Sequence, residues 1–121
     1  MIIRISWNED KVISIGKNIK IHVNSKNNRI RKEVENLTGK MFGDSSSTFV
    51  YIKENMCTID ISEIGYDTAD CVRRIIRRLY SFRCTLNIEI DQVNDGELLY
   101  IDYISQINEC ITGIYFKKGE L

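Results

Sequence analysis

Short stretches that alternate apolar and polar residues recur along this chain, and they restrict its fold more than any other feature. Ile3, Ile5 and Trp7 flank Arg4 and Ser6. Ile19, Ile21 and Val23 flank Lys20 and His22, and Leu86, Ile88 and Ile90 flank Asn87 and Glu89. Successive side chains on a strand point to opposite faces, so this spacing turns one apolar face to a core and one polar face to water. Val12 to Ile15 reads as a further short strand. Phe49 to Lys53 and Met56 to Ile61 flank Glu54-Asn55 and read as a hairpin, with Cys57, Ile59 and Ile61 on one face of its second strand.

Two segments change to a helical period. Ile30, Val34 and Leu37 follow Asn24-Ser25, whose short oxygen-bearing side chains suit an N-cap, and Gly39 is placed to stop that helix. Arg31, Lys32, Glu33 and Glu35 supply its outer face. Ala69, Val72, Ile75, Ile76 and Leu79 form a second, clearer stripe behind Asp67-Thr68 as cap. Asp67 and Asp70 sit near the positive end of that helix, and Arg73, Arg74, Arg77 and Arg78 fall later, as the helix dipole favours.

Past residue 91 two signals compete. Asn94-Asp95-Gly96 suggests a tight turn with Gly96 left-handed, which predicts a strand from Glu97 to about residue 103 pairing back as a hairpin, then a short helix. Ile101, Ile104, Ile107 and Ile111 instead fit a helix. Residues 1–121 are thus expected to form a single α+β domain: a mainly antiparallel sheet of hairpins, two amphipathic helices on one face, and a C-terminal helix as the open alternative. At 121 residues and 43% apolar, the chain can bury one core without a metal or disulfide.

Net charge is zero but unevenly spread. Residues 1–53 hold ten Lys/Arg against five Asp/Glu, residues 54–84 five of each, and residues 85–121 two against seven. The basic and acidic parts either face each other or face a partner. The chain has no apolar run of about 18 residues, as a membrane helix would need, and no basic region followed by a long apolar stretch at Met1 to Trp7. The expectation is no membrane partner and a cytoplasmic location, where thiols stay reduced.

The search for catalytic chemistry returns little. Cys57, Cys71, Cys84 and Cys110 lack the close pairing that puts thiolates on a zinc tetrahedron, and they read as small buried hydrophobes. Cys71 near Arg74 and Cys84 after Arg83 have the positive neighbour a reactive thiol needs. His22 is the only histidine and has no local orienting group, so neither a triad nor a multi-histidine metal site is expected. Asp60, Glu63, Asp67 and Asp70 gather near a strand end and a helix start, and Asp91, Asp95 and Glu97 around a turn. Both sets read first as capping and solvated-loop carboxylates and second as a Mg²⁺ site, and the calcium-loop spacing is absent. Thr38-Gly39-Lys40 lacks the earlier glycine and the following Ser/Thr of a phosphate loop, and Ser45-Ser46-Ser47 lacks the frame of a nucleophile elbow. No cofactor and no metal are expected, and the balance points away from an enzyme.

Two surface features remain. Arg73, Arg74, Arg77 and Arg78, extended by Arg83, form a stripe whose planar forks suit carboxylates and phosphates alike. Phe49, Tyr51 and Tyr100 would lie together on the sheet face away from the helices. Thr58 to Asp70 resembles a strand-to-helix junction of anti-sigma-antagonist domains, but the serine motif at that helix start is missing and nothing of that family is carried over. The expected function is a non-enzymatic protein-binding module, such as an immunity protein or inhibitor. It would neutralise a partner protein through the arginines and an acidic surface of Glu89, Asp91, Asp95, Glu97 and Asp102. The alternative is nucleic-acid binding through the arginine-rich helix, residues 68–83.

Overall fold

A computed structural model describes residues 1–8, 10–15, 19–24, 29–82, 84–106 and 116–118, of which 10–15, 19–24 and 116–118 are described by their strand pairing alone. The alternating segments form strands. β1 (Ile2–Asn8) is central, antiparallel to β5 (Met56–Ile61) on one side and β6 (Thr85–Asp91) on the other. β4 (Thr48–Lys53) extends the sheet beyond β5, and β7 (Phe116–Lys118) pairs parallel with β6, giving the order β4-β5-β1-β6-β7. β2 (Asp10–Ile15) and β3 (Ile19–Asn24) form a separate two-stranded hairpin. The expected α+β class with a mainly antiparallel sheet is what forms.

Period two divides the main sheet cleanly. Ile3, Ile5 and Trp7 of β1, Cys57, Ile59 and Ile61 of β5, and Leu86, Ile88 and Ile90 of β6 are all buried on one face. That face is covered by α1 (Arg29–Phe42) and α2 (Tyr66–Ser81). α1 contributes Ile30, Val34, Thr38 and Phe42, four residues apart, and α2 contributes Ala69, Val72, Ile75, Ile76 and Leu79. The sequence stripe on α1 runs slightly differently, because Leu37 is only half buried and Thr38 takes the core position instead. Thr38 is tolerated there because its hydroxyl donates to the Val34 carbonyl at 2.8 Å.

Several helix boundaries differ from expectation. Asn24 ends β3 and is not a helix cap, and Ser25 lies outside the described residues. Gly39 sits inside α1, which continues to Phe42 because Phe42 itself reaches the core. The stop is Gly43: its N–H bonds to the Gly39 carbonyl at 3.0 Å, and a Cβ there would come within 2.4 Å of that oxygen. α2 starts before the expected Asp67-Thr68 cap. Gly65 is the N-cap, and Thr68 serves it from within the first turn, its hydroxyl lying 2.9 Å from the Gly65 N–H and 3.0 Å from the Gly65 carbonyl.

The larger correction concerns residues 97–104. The expected hairpin strand does not form; a 3-10 turn at Asp95–Glu97 leads into α3 (Leu98–Ser105). Gly96 belongs to that turn, and the left-handed residue nearby is Gln92, at φ 56°. Two physical reasons favour the helix. Glu97 reaches back to accept from the Asn94 N–H at 3.0 Å, a capping box that opens a helix. The edge of β6 that a hairpin strand would need is taken by β7. α3 then packs on α2, with Ile104 fully buried.

Candidate interaction surface

The sheet face turned away from α1 and α2 carries the other half of each alternating segment. Register aligns these residues in cross-strand rows. Phe49 lies opposite Asp60, which lies opposite Ile2, which lies opposite Asp91. The next row runs Tyr51, Thr58, Arg4, Glu89, and the one after it Lys53, Met56, Ser6, Asn87. An ion pair between the Arg4 Nη1 and the Asp91 carboxylate spans neighbouring rows. Phe49 is 70% exposed and Tyr51 53% exposed, so two large rings stand in solvent on one strand. Tyr100, expected beside them, is on α3 and packs edge-on to Tyr66 at 5.1 Å between ring centres. Its absence from the sheet follows from the helix that replaced the expected strand.

The arginine helix is largely occupied by its own surroundings. Arg73 is half buried and its guanidinium lies 4.4 Å from the centre of the Tyr103 ring, holding α3 against α2. Arg74 pairs with Asp70 one turn earlier at 3.0 Å. Arg78 pairs with Glu33 of α1 at 3.0 Å and stands over Phe82. Arg77 is exposed, with no ion pair among the described residues. Arg83 lies outside the described residues. The four described arginines are thus brought to one helix, with three of them tied to Tyr103, Asp70 and Glu33.

The acidic residues are dispersed in role. Asp91 pairs with Arg4, so a basic residue of the N-terminal part does meet an acidic one of the C-terminal third. Glu97 caps the turn before α3. Glu89 is half buried on the open sheet face, while Asp95 and Asp102 are exposed. Of Asp60, Glu63, Asp67 and Asp70, only Glu63 and Asp67 border one hollow: Asp60 is on the open face, Asp67 is exposed in the first turn of α2, and Asp70 holds Arg74 and the Tyr103 hydroxyl, the latter at 3.3 Å. Among the described residues no three His, Cys, Asp or Glu side chains gather where a metal would be held.

The thiols are poorly suited to nucleophilic work. Burial pushes the Cys57 thiol up from 9.0 to about 12. Cys71 is also raised, by burial first; Arg74 pulls it down, but Asp70 and Asp67 push it up again. The Cys84 S–H donates to the Leu79 carbonyl at 3.1 Å. Cys110 and the side chain of His22 lie outside the described residues.

A groove of about 440 Å³ runs between α1 and β4, bordered by Glu35, Thr38, Gly39, Phe42 and the edge residues Thr48 and Val50. Its lining holds no His or Cys. No described helix is long and apolar enough to cross a membrane. The sequence signal for Phe49 and Tyr51 was their alternation with Val50 and Ile52; the tyrosine cluster of Tyr66, Tyr100 and Tyr103 had none, because it joins two helices far apart in the chain. Compared with known proteins, the chain matches no family model, no curated protein and no solved structure.

Proposed function

We infer that this chain is a non-enzymatic protein-binding module, of the kind that inhibits or neutralises a partner protein. The observation that carries the reading is the exposure of Phe49 and Tyr51 on one strand of a largely polar sheet face. Large rings presented by a strand lose little conformational freedom on binding, and such residues anchor interfaces. Around them stand Lys53, Asp60, Glu89 and the Arg4–Asp91 pair, a mixed-charge rim that selects a complementary partner and speeds its approach. Arg74, Arg77 and Arg78 of α2, Asp95 and Asp102 are further exposed charges outside that face. The raised thiols Cys57 and Cys71 suit a binding role, and the lack of a disulfide among the described cysteines suits the cytoplasm as the place of action.

The test is affinity capture from lysate of the source cells with nuclease-treated protein, comparing wild type, Phe49→Ala/Tyr51→Ala, and Arg77→Ala/Arg78→Ala. The expected result is one stoichiometric protein that the double aromatic variant fails to retain. Retention of RNA or DNA without nuclease, lost with the arginine variant and insensitive to the aromatic one, would replace this reading with the nucleic-acid one.

A further inference from the structure

The free edge of β4 is chemically unfinished. The strand order ends at β4, and the phase of its backbone bonds can be read from its neighbours. The Met1 amine donates to the Ile61 carbonyl, the Ile61 N–H donates back to Met1, and the Trp7 N–H donates to Asn55. With the register of β1 on β5, Cys57, Ile59 and Ile61 therefore spend their backbone groups on β1. Met56, Thr58 and Asp60 bond the other way, to Lys53, Tyr51 and Phe49 of β4. The Ser62 N–H donating to the Ser47 carbonyl at 2.8 Å continues the same phase. The N–H and C=O groups of Thr48, Val50 and Ile52 consequently point outward, with no hydrogen bond to them among the described residues. The Thr48 hydroxyl at the same edge is buried without a partner.

Proteins commonly guard such an edge with charges, proline or a bulge. β4 carries one charge, Lys53 at its end, and its ladder with β5 runs unbroken from Thr48 to Lys53. The geometry points to a second copy of this chain as the occupant: two β4 strands pair antiparallel about a twofold axis through Val50, joining two sheets into one. In that register Thr48 meets Ile52 of the other copy and Val50 meets Val50, so all three outward-bonding positions are in phase. Phe49 of each copy stands opposite Tyr51 of the other on the open face, at the close, non-hydrogen-bonded positions where cross-strand aromatic pairs gain most. On the core face the half-buried Val50 side chains meet across the seam, flanked by Ile52 of each copy beside Thr48 of the other. Lys53 falls opposite Ser47, so no like charges meet, and a chain of zero net charge does not repel its copy.

The contact is small. Aromatic side chains bury roughly 150–250 Å² each when fully covered, so Phe49 and Tyr51 contribute well under the roughly 800 Å² per partner of a standard interface. The dimer is accordingly a weak, concentration-dependent one, with a dissociation constant on the order of tens to hundreds of micromolar. This goes beyond the protein-binding reading and is tested without any partner but the chain itself.

Sedimentation equilibrium of the wild type from about 2 to about 500 µM, chosen to bracket that range, should show the mass rising toward twice the 14.1 kDa of one chain. Over the same range, NMR hydrogen exchange should show the Val50 and Ile52 amides slowing while the Phe49 and Tyr51 amides, already bonded to β5, change little. Tyr51→Lys, at an exposed position, should weaken association at least about tenfold, the equivalent of one unfavourable ~1.4 kcal/mol contact. Val50→Pro removes an outward N–H that β5 does not use, at the cost of a half-buried side chain, and, where circular dichroism shows it folded, should do the same. A mass that stays at 14.1 kDa throughout overturns the proposal, including when an added peptide of the β4 sequence protects Val50 and Ile52, which would assign the edge to a foreign strand. A dimer that survives both folded variants, or forms without slowing the Val50 amide, overturns it as well.

Discussion

Replacing Ile59 and Phe49 by alanine, one at a time, tests the assignment of the two sheet faces, on which the functional reading depends. Ile59 is fully buried on β5, opposite Ile3 of β1 and Val50 of β4. Ile59→Ala removes three carbons, worth about 0.8 kcal/mol each in lost transfer energy. The hole sits in a laddered sheet that cannot collapse freely, which adds about 1–2 kcal/mol and brings the total to about 3.4–4.4 kcal/mol. Phe49, by contrast, is 70% exposed. With about a third of a roughly 200 Å² ring covered, Phe49→Ala loses at most about 1.5 kcal/mol, and area bookkeeping of this kind is an upper bound. The assay is urea unfolding at about 2 µM protein, where any weak dimer has dissociated, followed by circular dichroism and analysed by linear extrapolation. The midpoint should fall sharply for Ile59→Ala, with a loss in melting temperature of about 10–20 °C, and move little for Phe49→Ala. Equal losses from the two variants, or a loss below about 1 kcal/mol from Ile59→Ala, would refute the argument that β4 and β5 turn one face to the core and the other to water.

Two further outcomes follow from the described contacts. Because burial raises the Cys57 thiol to about 12 in the fold against 9.0 for an open thiol, the unfolded chain loses this proton first as pH rises. The contribution is therefore intact below pH 9 and declines between 9 and about 12, by up to about 1.4 kcal/mol per pH unit. Stability measured against pH should fall more steeply above 9 for the wild type than for Cys57→Ala; equal slopes would contradict it. The Arg78–Glu33 pair joins α2 to α1 across a half-exposed gap, so a double-mutant cycle to alanine should give a coupling of about 0.5–1 kcal/mol that shrinks in 1 M salt. A coupling of zero at low salt would show that the two helices are held by Ile30, Val34 and their apolar neighbours alone.

Much of the sheet was legible because period two is a local property. Ile3, Ile5 and Trp7 carry their own instruction about which way to face, and so do Leu86, Ile88 and Ile90. α2 was legible for the same reason, through five apolar residues at helical spacing. Residues 97–104 were misread because Asn94-Asp95-Gly96 has the composition of a hairpin turn, while Asn94-x-x-Glu97 also has the spacing of a capping box. Local chemistry allowed both, and the occupied edge of β6 removed one of them. Gly39 was misread as a stop because glycine is a weak helix former, yet a helix continues through it when the next turn buries a Phe42.

The candidate surface divides along the same line. The alternation of Phe49 and Tyr51 with Val50 and Ile52 was enough to predict opposite faces. Only the tertiary structure showed that no described element covers Phe49 and Tyr51, that Tyr100 belongs elsewhere, and that β4 stands at the end of the sheet with Thr48, Val50 and Ile52 bonding outward. The arginine stripe was visible as four residues on one helix; whether those charges were spent or spare depended on Tyr103 and Glu33, thirty and forty-five residues away. The sequence by itself determined the class of fold and the core faces of β1, β4, β5 and β6, since these rest on spacing within a few residues. Strand order, edge identity and the pairing of charges were decided by tertiary structure, because they depend on which distant segments compete for the same backbone groups and the same partners.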